Sequence, residues 1–359
     1  MTSFRDLPIR DDLRELEPYG APQLQVEVAL NVNENTHRIP EPVSQDIIEH
    51  LAAAVIRLNR YPDREFISLR HLLANYLGAN LNETNIWAAN GSNEVLQQIF
   101  MAFGGVGRKV LSFGPTYSMY SILAKGTQTD YQDVPRADRF ELTSELVTGA
   151  IKKNHPNIVV LCSPNNPTGT PVDISIIEDA YDALPSNCIL VVDEAYAEFA
   201  GPESESATNL LPGRERLLVS RTMSKAFAFA GARVGYLAAD PAVIDALRLV
   251  RLPYHLSALT QAAAEAALAH SSEMLATVAD IRYQRDRMVI ALTELGLDPY
   301  RTASNFVLFG GLSNPAETWQ ALLDRNVLVR NVGIENCLRV SAGTERETTR
   351  FIEALAEVI

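Results

Sequence analysis

Ile189-Leu190-Val191-Val192-Asp193-Glu194-Ala195-Tyr196 is a short apolar, largely β-branched run that ends in two acids and a phenol. Such a run reads as a strand buried on both faces. Three other segments share this form. Ile158-Val159-Val160-Leu161 leads to Ser163-Pro164-Asn165-Asn166-Pro167-Thr168-Gly169, and Val110-Leu111-Ser112-Phe113 leads to Gly114-Pro115-Thr116-Tyr117. Arg216-Leu217-Leu218-Val219-Ser220 runs on to Lys225 and, eight positions later, to Arg233. Strands at Lys109–Phe113, Ile158–Cys162, Cys188–Val192, Arg216–Val219 and Val234–Ala238 then alternate with helical segments. That order predicts an α/β fold whose large domain is a mostly parallel sheet flanked by helices. Ligands of such sheets gather beyond the carboxyl ends of the strands.

Upstream, residues 1–42 form a polar, proline-dotted arm without a long periodic run. A first helix carries Ile47, Ile48, Leu51, Val55 and Leu58 on one face and breaks at Arg60-Tyr61-Pro62-Asp63. A second carries Leu69, Leu72, Leu73, Tyr76 and Leu77 and stops at Gly78. Gly91-Ser92-Asn93 opens a third, with Val95, Leu96, Ile99, Phe100 and Phe103 inward. The texture changes near residue 250. A helical stretch from Leu259 to Leu295, with a break near Ser271-Ser272, precedes short strands at Phe306–Phe309, Val327–Val329 and Leu338–Val340, a helix at Ala316–Asp324 and a final helix from Glu345. This predicts a smaller α+β domain. The expected division is an arm of residues 1–42 packing with the small domain and the substrate site, a large cofactor-binding domain of 43–252, and a small domain of 253–359.

Composition narrows the class. With 47% apolar and 21% charged residues, the 359-residue chain can build a sizeable core, and its length suits about two domains. A net charge of -13 argues against nucleic acid or an anionic membrane as partner. Cys162, Cys188 and Cys337 are odd in number and widely spaced, so they make neither a disulfide framework nor a metal pattern. The histidines show no metal spacing. No apolar signal core opens the chain and no apolar run is long enough to span a bilayer, which makes the cytoplasm the expected location.

The strand-end rule brings a carboxylate, an amide, two phenols, an amine and a guanidinium to one crevice. Singly, each has a plainer reading: Asp193 as a helix cap, Asn166 as a turn residue, Tyr117 as core, Gly91-Ser92 as a capping sequence. Together they suit pyridoxal 5'-phosphate, which needs a lysine for its imine and a carboxylate against its ring nitrogen. It also needs an aromatic face and anion donors for its phosphate. Gly91-Ser92-Asn93 at a helix N-terminus offers such donors, and Thr222, Ser224 and Arg233 can close the same site.

These motifs carry a resemblance. The chain resembles, over nearly its whole length, the aspartate-aminotransferase superfamily of pyridoxal-phosphate enzymes, and within it the histidinol-phosphate aminotransferases. Its specific parts are Asn165-Asn166-Pro167-Thr168-Gly169, Asp193-Glu194-Ala195-Tyr196 and Ser224-Lys225 with Gly231-Ala232-Arg233-Val234-Gly235. Tyr19-Gly20, Leu30-Asn31-Val32-Asn33-Glu34-Asn35 and Asn59-Arg60-Tyr61-Pro62-Asp63 add to it. The resemblance implies an aspartate aminotransferase-like fold with a seven-stranded sheet. It implies that Lys225 holds the cofactor's imine and moves the substrate's Cα proton, that Asp193 pairs with the ring nitrogen, and that Asn166 and Tyr196 bond the phenolate oxygen. Tyr117 would stack on the ring, while Gly91, Ser92, Asn93, Thr222, Ser224 and Arg233 would hold the phosphate. Tyr19, Asn33, Arg330 and Arg339 would bind substrate. Tyr61 would reach the partner subunit's site, so a homodimer is implied. The implied reaction exchanges an amino group between histidinol phosphate and 2-oxoglutarate, giving glutamate. An aromatic amino-acid aminotransferase and a phospho-amino-acid decarboxylase are the rival readings on the same scaffold. The sequence departs from the pattern at Thr36, where the family commonly has proline after Asn33-Glu34-Asn35; the change frees a backbone donor and loosens what the motif says about the arm.

Overall fold

The computed structural model describes residues 3–14 and 20–359. Among the described residues, twelve strands make three sheets. In chain order they are β1 (Val28–Ala29), β2 (Ile86–Asn90), β3 (Lys109–Gly114), β4 (Asp130–Pro135), β5 (Ile158–Cys162), β6 (Ile189–Asp193), β7 (Leu217–Thr222), β8 (Val234–Ala239), β9 (Asp298–Pro299), β10 (Phe306–Gly310), β11 (Val327–Leu328) and β12 (Leu338–Ser341). The central sheet has seven strands in the order β2-β8-β7-β6-β5-β3-β4. All its pairings are parallel except those of β8, which runs antiparallel to both β2 and β7.

That one reversed strand matters to the site. Because β8 points the other way, its first residue lies at the edge where the parallel strands end. Arg233, just before β8, is therefore brought beside Gly91-Ser92 beyond β2, on the same edge at which β6 ends in Asp193. Gly235 is required there, since a Cβ on it would overlap the Ser92 amide and the Gly91 carbonyl carbon. Two strands are not apparent as apolar runs. The edge strand β4 reads Asp-Tyr-Gln-Asp-Val-Pro, with none of its residues fully buried, and β2 has two alanines in five residues, although it is buried along most of its length.

The apolar core divides in two. One cluster surrounds the seven-stranded sheet, from Val43 to Met274, and includes the helix Ala258–Ala269, which packs on the helices Glu41–Val55 and Ile67–Leu77. The second gathers Val28, Leu30, Phe306, Phe309, Val340 and Phe351 with the helix Val278–Glu294. The cores thus change over between Met274 and Ile281, later than the change of texture near residue 250. The arm is tied to the second: β1 adds in parallel to β11, and the Ser341 amide donates to Leu30 O at 2.9 Å.

The first helix differs from its sequence reading. It ends at Val55, and of the five residues expected on one inward face only Ile47 is buried, with Leu51 half-buried. Ile48, Val55 and Leu58 are exposed. The apolar stripe is broader than the face that meets the core. The second helix runs Ile67–Leu77, and Gly78 follows it at φ 66°, a conformation that favours glycine.

Candidate active site

One cavity of about 480 Å³ opens at the carboxyl edge of the central sheet, between the two cores and under the arm. Its walls include Asp193, Asn166, Tyr196, Lys225, Thr222, Ser224, Arg233, Ser92, Asn93 and Tyr117 from the large unit, Arg330 and Arg339 from the small unit, and Asn33 from the arm. Two of the expected site residues lie outside its walls. Gly91 does not line the cavity; at φ 84° it turns the chain into the helix Ser92–Phe103 and packs against the Arg233 guanidinium. Tyr61 is 79% exposed and stacks on Tyr254 at 4.4 Å, away from its own chain's cavity. Tyr19 lies outside the described residues.

Asp193 ends β6 at 2% exposure. Its Oδ2 accepts from the Tyr120 hydroxyl at 2.6 Å, whereas its buried Oδ1 has no hydrogen-bond partner among the described residues. Burial pushes its pKa up to about 6, against the Tyr120 hydrogen bond and the nearby Ala195 amide. A carboxylate in this state is ready for a cationic N–H donor. The next residue faces the other way, as strand geometry dictates. Glu194 pairs with the buried Arg221 at 2.7 Å and accepts from the Ala207 amide, while Glu198 takes the second arm of Arg221 and the Tyr76 hydroxyl. This network fixes the turn after β6, and it leaves no trace in the sequence as a motif.

Lys225 follows β7 and donates from Nζ to Val32 O of the arm at 3.0 Å. Burial lowers its pKa to about 8; Arg339 and Arg233 push the same way and Glu34 opposes them. Its neutral amine is thus accessible near neutral pH. On one side, the Asn166 Nδ2 and Asn33 Nδ2 groups both donate to the Tyr196 hydroxyl oxygen, at 3.4 and 2.9 Å. On the other, the Tyr117 hydroxyl donates to Asn93 Oδ1 at 3.1 Å.

A second group of donors surrounds the helix N-terminus at Ser92. The first N–H groups of a helix have no intrahelical acceptor, and its dipole favours an anion there. Thr222 Oγ1 lies 2.9 Å from Ser224 Oγ, and Arg233 reaches towards Ser224 and Ala230 O. Arg233 itself holds φ 58°, a left-handed conformation that aims its guanidinium at this corner. A phosphate-sized anion is the group this corner is built for.

In the small unit, Arg330 and Arg339 exchange both backbone hydrogen bonds across an antiparallel bridge, each at 2.9 Å. Directly opposed residues project to the same face of a sheet. Arg339 donates to Asn166 Oδ1 at 2.5 Å and to Asn31 O at 2.9 Å, tying the small unit to the large one and to the arm. The arm segment itself is fixed despite Thr36: Asn35 Nδ2 donates to Ala226 O and Thr277 Oγ1, and Asn35 Oδ1 accepts from the His37 amide. The residues that sequence reasoning missed are those that act from behind: Tyr120, Arg221 and the backbone carbonyls of Asn31 and Val32. Only Tyr120 had a visible signal, its position three residues after Tyr117, within one turn if a helix starts there.

An orphaned buried carboxylate oxygen, a half-buried amine and an anion corner on one cavity fit pyridoxal phosphate. Residues 26–355 match the family model for aminotransferase class I and II; the chain belongs to that family and is a transaminase. It is 59% identical over 354 residues to a histidinol-phosphate aminotransferase of Paenarthrobacter aurescens (strain TC1), covering 98% of this chain and 95% of that protein. Among solved structures, the histidinol-phosphate aminotransferase of Sinorhizobium meliloti in complex with pyridoxal-5'-phosphate matches with a TM-score of 0.86 at 26% identity, covering 98% of this chain and 97% of that one. A tetra mutant of the aspartate aminotransferase of Thermus thermophilus shares the fold, with a TM-score of 0.82 at 24% identity over 98% of this chain and 99% of that one. No helix among the described residues is long and apolar enough to cross a membrane, and no cluster there could hold a metal ion.

Proposed function

We propose that this chain interconverts L-histidinol phosphate and 2-oxoglutarate with imidazole-acetol phosphate and L-glutamate, using pyridoxal phosphate, and that it serves histidine biosynthesis. The observation that carries the chemistry is the placement of Lys225, with its lowered pKa, in the same cavity as the unsatisfied Oδ1 of Asp193. Near-full-length similarity to the Paenarthrobacter enzyme supports the substrate.

Asp193 Oδ1 would accept from the cofactor's ring nitrogen, and Asn166 and Tyr196 would bond its phenolate oxygen. Tyr117 would face its ring. Ser92, Asn93, Thr222, Ser224 and Arg233 would hold its phosphate, with Gly91 setting the turn. Bound there, the cofactor supplies an electron sink for the charge left at the substrate's Cα. Lys225 would be the tether and, when its amine is free, the base that holds the substrate's Cα proton. Arg330 and Arg339, on one face of their bridge, suit the phosphate of one substrate and the carboxylates of the other, since a guanidinium fork binds both anions. Asn33 lines the arm's side of the pocket, and Tyr19 would bind substrate as the resemblance implies. In this reading the large unit serves the cofactor, and the arm with the small unit serves the substrate.

The working form is a homodimer. Ile56, Leu58, Leu249 and Leu252 are exposed apolar side chains on segments that meet at the Tyr61–Tyr254 stack, an arrangement that suits a covered surface. Tyr61 would cross that surface into the partner's cavity. Three buried free thiols suit a reducing compartment such as the cytoplasm. Sedimentation should give a dimer, and Tyr61→Ala should weaken cofactor binding with the fold intact; a monomer with full activity would exclude this arrangement.

A half-reaction panel tests the substrate. Purified enzyme is mixed separately with histidinol phosphate, phenylalanine, tyrosine and threonine phosphate, following the cofactor's absorbance and any gas released. Histidinol phosphate is expected to react with the highest kcat/KM. Phenylalanine ahead of it would identify an aromatic aminotransferase, and carbon dioxide from threonine phosphate a decarboxylase.

A further inference from the structure

We propose that Tyr120 is a positioning residue for transamination, acting through Asp193: its hydroxyl claims one carboxylate oxygen, which leaves the other aimed at the cofactor's ring nitrogen and keeps the group ionised. The proposal rests on the reading of Asp193 given above.

Tyr120 sits on the helix Met119–Gly126 and is wholly buried. The 2.6 Å separation from Asp193 Oδ2 is that of a charge-assisted O–H···O⁻ hydrogen bond. Oδ1 is left without a partner on the cavity side, so the two oxygens have different surroundings. No described cation takes over the task. Arg221, on the neighbouring strand β7, is committed to Glu194 and Glu198. Remove the hydroxyl, and a carboxylate at 2% exposure keeps no side-chain donor. Burial and the adjacent carboxylate push the phenol's pKa well above its ordinary value, so it remains a donor at any working pH.

The ring of Tyr120 has a second contact, edge-on to Tyr117 at 5.7 Å. The same side chain therefore braces the residue read as the cofactor's stacking face. Replacing tyrosine by phenylalanine separates the two functions, because the ring packing survives and only the hydroxyl is lost.

The test compares wild type, Tyr120→Phe, Asp193→Asn and the double variant. For each, apo-protein is titrated with pyridoxal phosphate, the pH midpoint of the bound cofactor's absorbance change is measured, and single turnover with histidinol phosphate is followed. In Tyr120→Phe, affinity and the single-turnover rate should each fall about tenfold, the scale of a lost hydrogen bond to a charged group, with KM for histidinol phosphate moving less than about twofold. The absorbance midpoint should rise, because a less firmly ionised Asp193 holds less positive charge on the ring. In the Asp193→Asn background the further loss should be under about twofold, since residues acting through one another are not additive. A Tyr120→Phe enzyme that loses thermal stability but keeps wild-type affinity, midpoint and rate overturns the proposal. So does an equal loss in both backgrounds. If Asp193→Asn alone leaves single turnover unchanged, the reading of Asp193 itself fails, and this failure is distinct from the other two.

Discussion

Lys225→Ala is expected to lower steady-state turnover by about three to four orders of magnitude, the upper part of the range for removing a positioned acid–base group, because the same side chain is also the tether. The protein should still fold. The amine makes a single described hydrogen bond, to Val32 O, and the arm keeps its other anchors through Asn31, Asn33 and Asn35. The result is read by steady-state assay beside a thermal melt. An alanine variant that melts like wild type and still turns over would remove Lys225 from the chemistry. Added small amines should restore part of the rate, as they can enter the space vacated by the side chain.

Asp193→Asn should leave pyridoxal phosphate bound yet slow single turnover by about a hundredfold or more, the cost of removing a charge placed against one that develops in the reaction. Unchanged single-turnover rates would contradict this. The same variant has a signature in the cofactor-free protein. Asp193 there is held up to about 6, above the ordinary value of 3.8. A raised folded pKa means that the stability linked to this proton is fully present below the unfolded value and is lost as pH rises through about 6. The whole shift is worth about 3 kcal/mol, of which about 2 kcal/mol is lost between about pH 4.5 and pH 7.5. Apo Asp193→Asn should therefore gain stability relative to apo wild type across that interval, measured by denaturant unfolding at both ends. A stability difference independent of pH would mean that Asp193 is not buried as an ionisable group.

The parts that could be read from the sequence are those in which chemistry and geometry coincide on one short segment. The run Ile189–Val192 announced a buried strand, and Asp193 beyond it had to fall on the ligand edge of a parallel sheet. Lys225 and Asn166 followed from the same rule. What escaped was whatever depends on a partner far away in the chain. β4 is half in water and carries no apolar signature. Tyr120 looks like core until Asp193 is placed 73 positions away at hydrogen-bond distance. The exposed side of the helix Glu41–Val55 misleads in the opposite sense, because an apolar stripe reports that something covers it and not whether the cover is this chain's own core. Gly91 precedes the helix Ser92–Phe103 at positive φ, a turn conformation that its bare place before a helix does not announce.

The arm's attachment bears on the order in which a growing chain can become competent. Leu30 O waits for the Ser341 amide, Asn33 for the Ser341 hydroxyl, and Asn31 O for Arg339, partners separated by about three hundred positions. Residues 86–239, by contrast, contain the helix N-terminus, Asp193, Lys225 and Arg233, and their strands pair among themselves. During synthesis the segment that would receive the cofactor can assemble while the C-terminal third is still absent. The wall facing the substrate cannot close until the last twenty or so residues emerge, since contacts so distant in sequence form late. A chain cut short before Arg339 would then be a vessel with its floor laid and its lid missing.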